Sequence, residues 1–130
     1  MMKRKLISSG SPYEKIIGFS RAVRVGPYIT IGGTAPLDSN GKTIGVGDIG
    51  LQTKQCLETI KIALEKAGAT LEHVVRTRMM LTNIEDWKIA SEVRASYFKT
   101  IKPVDTIVEV GGFINPDWLI EIEVDAIVDF

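Results

Sequence analysis

Residues 118–128 read WLIEIEVDAIV, and their alternation decides the architecture. Ile120, Ile122, Val124, Ala126 and Val128 fall on one side of an extended chain, while Glu121, Glu123 and Asp125 fall on the other. Successive residues of a strand point to opposite faces, so the segment predicts a strand with one apolar and one charged side. A sheet made of such strands needs a cover over one face only.

That cover is legible upstream. In GDIGLQTKQCLETIKIALEKAG, residues 47–68, the positions Ile49, Thr53, Cys56, Leu57, Ile60, Ala63, Leu64 and Ala67 recur at helical spacing and form one stripe. Asp48 is suited to cap the start, and Gly68 follows the end as a C′ glycine does. A second helix is expected after Asn83, with Asp86 in its first turn and Trp87, Ala90, Val93, Tyr97 and Phe98 turned inward. RAVRVGPYITIGG, residues 21–33, predicts two strands joined at Gly26-Pro27, the second interrupted by a bulge at Gly32-Gly33.

HVVRTRMMLT, residues 73–82, predicts a strand with Val75, Thr77, Met79 and Leu81 on one face and Val74, Arg76, Arg78 and Met80 on the other. A strand after Pro103 carries Thr106, Ile107, Val108 and Val110, with Asp105 where the chain enters it. If the strands are neighbours, Arg76 and Arg78 can pair with Glu121 and Glu123 across the sheet, with Met80, Ile107 and Leu119 on the same face. A face mixing apolar residues with paired charges is expected to meet another copy of the chain.

Bulk properties exclude several classes. At 130 residues the chain suits one domain, 1–130, with one core. Sixteen basic residues balance sixteen acidic ones, so no broad field favours nucleic acid or an anionic membrane, and neither is expected as a partner. One Cys rules out an internal disulfide, and one His makes a zinc site improbable; no metal and no cofactor are expected. The opening MMKRKLISSG lacks a signal-peptide core, and a cytoplasmic location is the expectation.

The motifs divide unevenly between chemistry and structure. GVGDIG, residues 45–50, matches G-x-G-x-x-G, but the fingerprint needs a buried strand before it and an acid at the end of the next strand. Only KTI precedes it, so it reads as the approach to a capped helix. Cys56 lies on the apolar stripe and reads as a small core residue. His73 follows a turn and suits a surface or capping role, while Trp87, Met79 and Met80 read as core. Glu121 and Glu123 stay open between cross-strand pairing and a pocket acid.

Taken together, GFSRAVRVGPYITIGGTAPLD (18–38), the segment 52–87, KPVDTIVEV (102–110) and LIEIEVDAIV (119–128) resemble the RidA/YjgF reactive-intermediate deaminase family, also labelled endoribonuclease L-PSP. The resemblance runs through nearly the whole chain. It implies a chorismate-mutase-like α+β fold, a mixed β-sheet with two helices packed on one face. It also implies a homotrimer with a small-molecule ligand in each intersubunit cleft, and a hydrolase acting on 2-enamines and 2-imines. A family arginine grips the substrate carboxylate, and a glutamate with a tyrosine places water.

Carried across residue by residue, the family glutamate matches Glu121 and the glycine after the hairpin matches Gly33. Gly32 stands where serine is common, Phe19 where the tyrosine stands, and Ile107 where a cysteine is often found. Ser91 completes the substrate-binding set. Asp105 stands at the position of the arginine, which places the chain in a subgroup lacking that cation. Two readings follow for catalysis: Asp105 and Glu121 converge in one intersubunit pocket and share a proton, or Arg21, two residues beyond Phe19, supplies a substitute clamp. The alternative to an enzyme is a non-catalytic binding or interaction trimer.

Overall fold

The computed structural model describes residues 3–128. Six strands form one mixed sheet: β1 (Arg4–Ile7), β2 (Ala22–Val25), β3 (Tyr28–Thr34), β4 (Val74–Leu81), β5 (Val104–Glu109) and β6 (Ile120–Ile127), in the order β1-β2-β3-β6-β4-β5. Two helices, α1 (Ile49–Lys66) and α2 (Trp87–Phe98), connect β3 to β4 and β4 to β5. β6, the last strand in sequence, inserts antiparallel between β3 and β4, so the expected one-sided strand is central to the sheet. Its inward residues Ile120, Ile122, Val124 and Ala126 are buried with Cys56, Leu57, Ile60 and Leu64 of α1.

The ends of α1 follow from their residues. The Asp48 carboxylate accepts the Leu51 amide at 3.0 Å, meeting one of the unpaired donors of the first turn. At the other end Gly68 takes φ +84°, and the Ala69 and Gly68 amides donate to the Leu64 and Glu65 carbonyls in a Schellman pattern. Buried Gln52 ties this helix to the 111–119 loop: its amide donates to the Gly45 and Asp117 carbonyls, and its oxygen accepts the Leu119 amide. The GVGDIG segment is thus the tight approach to a capped helix.

Several expectations are corrected. A sixth strand, Arg4–Ile7, extends the sheet where no element was expected, and a π-helical turn spans Glu14–Gly18. A register shift between Val74 and Arg76 buries Val74 and turns Val75 out, reversing their predicted faces. Asn83 caps a short 3₁₀ turn, Ile84–Asp86, that precedes α2. Trp87, expected inside, is 48% exposed, because that turn displaces the helix start from the core; Ala90 and Phe98 are the buried residues of α2. Ile107 pairs in register with buried Met79, so it faces the helix layer and not the second face.

On the second face Arg78 pairs with Glu123 at 2.7 Å and Arg76 with Asp125 at 3.7 Å. Being exposed, each contributes at most about 1 kcal/mol. Glu121 takes no part, since its register partner on β4 is Met80. No helix among the described residues is long and apolar enough to cross a membrane.

Candidate functional site

The site originates in the double glycine of β3. Ile31 pairs with Val124 and Thr34 with Ile122, so three steps along β3 span two along β6, and the extra residue is the predicted bulge. The bulge turns the Gly32 and Gly33 carbonyls and the Thr34 hydroxyl towards one guanidinium. Arg21 Nη1 donates to Gly33 O at 2.5 Å, to Thr34 Oγ1 at 3.2 Å and to Gly32 O at 3.4 Å. Arg21 Nε donates to Ser9 Oγ at 3.2 Å. The ring of Phe19 lies 5.3 Å from the guanidinium carbon, a cation–π contact. Only Nη2 of this buried cation makes no hydrogen bond within the described residues.

Glu121 approaches the same bulge. A Cβ on residue 33 would collide with Glu121 Oε1, so glycine there leaves the carboxyl its place against the bulge, a matter of space and not of backbone conformation. The Glu121 carboxyl has no hydrogen-bond partner among the described residues. Burial lifts its pKa above the ordinary 4.5; Arg21 pulls it back and Glu123 adds to the rise. Burial conversely lowers the Arg21 pKa, against the pull of Glu14 and Glu121. An arginine stays charged regardless. The pair is therefore a fixed cation beside an acid that holds its proton more readily than usual.

Phe19, Arg21 and Glu121 line one cavity of about 240 Å³. One wall is the α1 face carrying Gln55, Glu58, Ile62 and Lys66; another is the 8–19 segment with Ser9, Tyr13 and Ile17; Trp118 and Ile114 close a third. The 8–19 wall is folded by Glu14, whose Oε2 accepts from Ser9 N, Ser9 Oγ and Ser11 N at 3.0, 3.1 and 3.2 Å. Ser9 thus links Glu14 to Arg21. This wall escaped the sequence reading, although SPYE at 11–14 spells the S-x-x-E capping box. Trp118 is held by Nε1 donation to Thr43 Oγ1 at 3.0 Å and by an edge-on contact with Tyr13.

The other expected site residues lie elsewhere in the chain. Asp105, on the edge strand β5, accepts the Thr77 hydroxyl at 2.8 Å and pairs with Arg94 Nε of α2 at 3.4 Å. Thr77 is buried on the helix side, so Asp105 and Glu121 project from opposite faces of the sheet and do not converge within one chain. Ile107 sits two residues along on the Asp105 side, and Ser91 lies half-buried on α2 outside the cavity. Cys56 is fully buried beside the Ile120 carbonyl, and burial drives its thiol pKa up, which leaves it unreactive. His73 accepts the Thr70 amide through Nδ1 as a local cap. Among the described residues no cluster of His, Cys, Asp and Glu could hold a metal ion.

Comparison with known proteins completes the assignment. The endoribonuclease L-PSP family profile matches residues 11–128. The chain belongs to the endoribonuclease L-PSP family. A RutC family protein of Pyrococcus abyssi is 39% identical over 125 residues, covering 96% of this chain and 98% of the relative. The 3-aminoacrylate deaminase RutC of Acinetobacter baylyi is 34% identical over 122 residues, covering 94% and 95%. A crystal structure from Mycobacterium tuberculosis, a member of the YjgF/YER057c/UK114 family, superposes with a TM-score of 0.88 at 46% identity, covering 97% of this chain and 100% of that one. This L-PSP family member therefore has the expected α+β architecture, with both helices on one face of a mixed sheet.

Proposed function

We propose that this L-PSP family protein is a hydrolase of enamine or imine metabolites whose carboxylate clamp is Arg21 and whose proton-handling group is Glu121. The observation that carries the reading is the placement of both in one cavity, each with hydrogen-bonding capacity left over. The Nη2 edge of Arg21 binds the substrate carboxylate as a charge-assisted donor. Protonated Glu121 gives its proton to the imine nitrogen, and water adds to the activated carbon. The carboxylate so formed passes one proton of the added water to the nitrogen, and takes up the remaining hydroxyl proton as the C–N bond breaks, releasing ammonia and leaving a keto acid. The likeness to a 3-aminoacrylate deaminase supports an enamine or imine substrate.

Asp105 then has a structural part, tying the edge strand to α2. The same reading includes a trimer that joins the second faces of three sheets. Exposed Tyr28, Val75, Val104 and Ile127, alongside exposed ion pairs, support such an interface. Light scattering should give three chain masses.

A second reading, a binding trimer without turnover, draws on Arg21 donating through Nε and Nη1 to its own chain. The deciding experiment measures ammonia release from a freshly generated 2-imino acid. Activity should fall about 10²–10⁴-fold in Glu121→Gln, the range for losing a general acid–base group. Arg21→Met should raise KM. Ligand-induced rises in Tm without any ammonia would favour the binding trimer.

A further inference from the structure

We infer that the substrate carries a branched or aryl apolar side chain, because the cavity has a polar end too small to occupy it and an apolar chamber built to hold the rest. The inference rests on the reading of Arg21 and Glu121 given above. Ile17, Ile62 and Ile114 are 57%, 53% and 64% exposed, come from three separate segments, and all line this one cavity. Single exposed isoleucines are ordinary on a protein surface. Three that converge with Tyr13, Leu37 and Trp118 make a chamber.

Several of the other polar groups of the lining are engaged by the chain itself. Glu58 accepts the Tyr97 hydroxyl, Lys66 donates to the Ser8 carbonyl, Gln55 donates to the Leu37 carbonyl, and Asp38 accepts the Asn40 and Lys42 amides. Arg21 Nη2 and Glu121 keep hydrogen-bonding capacity free at the bulge end of the cavity, where the head of the substrate sits.

Size agrees with this division. An apolar cavity of about 150 Å³ takes a benzene ring. The 240 Å³ here holds a ring or branched alkyl group together with a short carboxylate-bearing head. A three-carbon imino acid would leave the isoleucine chamber filled with water. Each methylene moved from water onto that lining should tighten binding about fourfold.

The test uses product-like 2-keto acids that share one head: pyruvate, 2-oxobutanoate, 4-methyl-2-oxopentanoate and phenylpyruvate, titrated calorimetrically into the full chain. Affinity should climb about 60-fold from pyruvate to 4-methyl-2-oxopentanoate, three carbons at about fourfold each. Ile62→Asp and Ile114→Asp change exposed positions and should fold, as their melting curves will show; each should cut that ratio below about tenfold. Equal affinity for all four acids would overturn the inference and leave the Arg21–Glu121 reading standing. So would a climb that both variants keep in full, since the tail would then lie elsewhere. Absence of binding by every acid, with turnover unaffected by Glu121→Gln, would remove the site itself.

Discussion

Replacing Asp105 by arginine, the change that family resemblance suggests for restoring a deaminase, is expected to damage this protein. The Asp105 side chain is 23% exposed and that of Arg94 14%, with 3.4 Å between Oδ1 and Nε. Thr77 Oγ1 accepts from Arg94 Nε at 2.7 Å and donates to the same carboxylate, so three groups share one hydrogen-bonded unit. Two unit charges about 4 Å apart interact by roughly 4 kcal/mol at an effective dielectric near 20. Asp105→Ala loses that attraction but leaves Arg94 able to reach the Pro103 carbonyl at 3.1 Å and some solvent.

We therefore expect a cost for Asp105→Ala of about 2 kcal/mol, between the values for exposed and buried pairs. Asp105→Arg, which replaces attraction by repulsion, should cost about 4 kcal/mol. Urea unfolding at fixed protein concentration measures both, and a cycle with Arg94→Met isolates the coupling. Asp105→Arg within about 0.5 kcal/mol of wild type, or no coupling to Arg94, would refute this account of Asp105.

Three further outcomes are expected. Gly33→Ala should lower turnover while leaving the fold intact, because its methyl must push the Glu121 carboxyl away; circular dichroism and ammonia release check the two halves. Gln52→Leu should destabilise by about 2–4 kcal/mol, since the half-buried Leu119 amide and the Gly45 and Asp117 carbonyls lose their partner; thermal melting should show it. Because burial raises the Glu121 pKa, the folded chain binds more protons than the unfolded one. Its contribution to stability is full below the ordinary 4.5 and is lost as pH rises through the folded value. Glu121→Gln should flatten that loss in urea titrations taken from pH 4 upward.

The fold was legible because its signals are local and repeated. Alternation in 118–128 and the stripe of α1 each rest on many residues that agree, and the Gly32-Gly33 bulge needs only the two glycines. The errors came where one residue breaks a local period. The shift at Val74–Arg76 inverts faces that a strict period of two must get wrong, and the 3₁₀ turn at Ile84–Asp86 moves Trp87 outward.

The site was half legible. Phe19, Arg21, Gly32, Gly33 and Glu121 could be gathered from resemblance and spacing, and the structure brings them together. Which face Asp105 occupies depends on β5 pairing in parallel with β4, a long-range fact invisible in residues 101–110. The Ser9–Glu14 support of Arg21 joins side chains through a π-helical segment that leaves no periodic trace.

The most direct measurement of the central claim is a crystal structure with 4-methyl-2-oxopentanoate bound. Its carboxylate should lie within hydrogen-bond distance of Arg21 Nη2, with the keto group facing Glu121 and the alkyl tail against Ile62. A ligand seated beside Asp105, with Arg21 and Glu121 untouched, would contradict it.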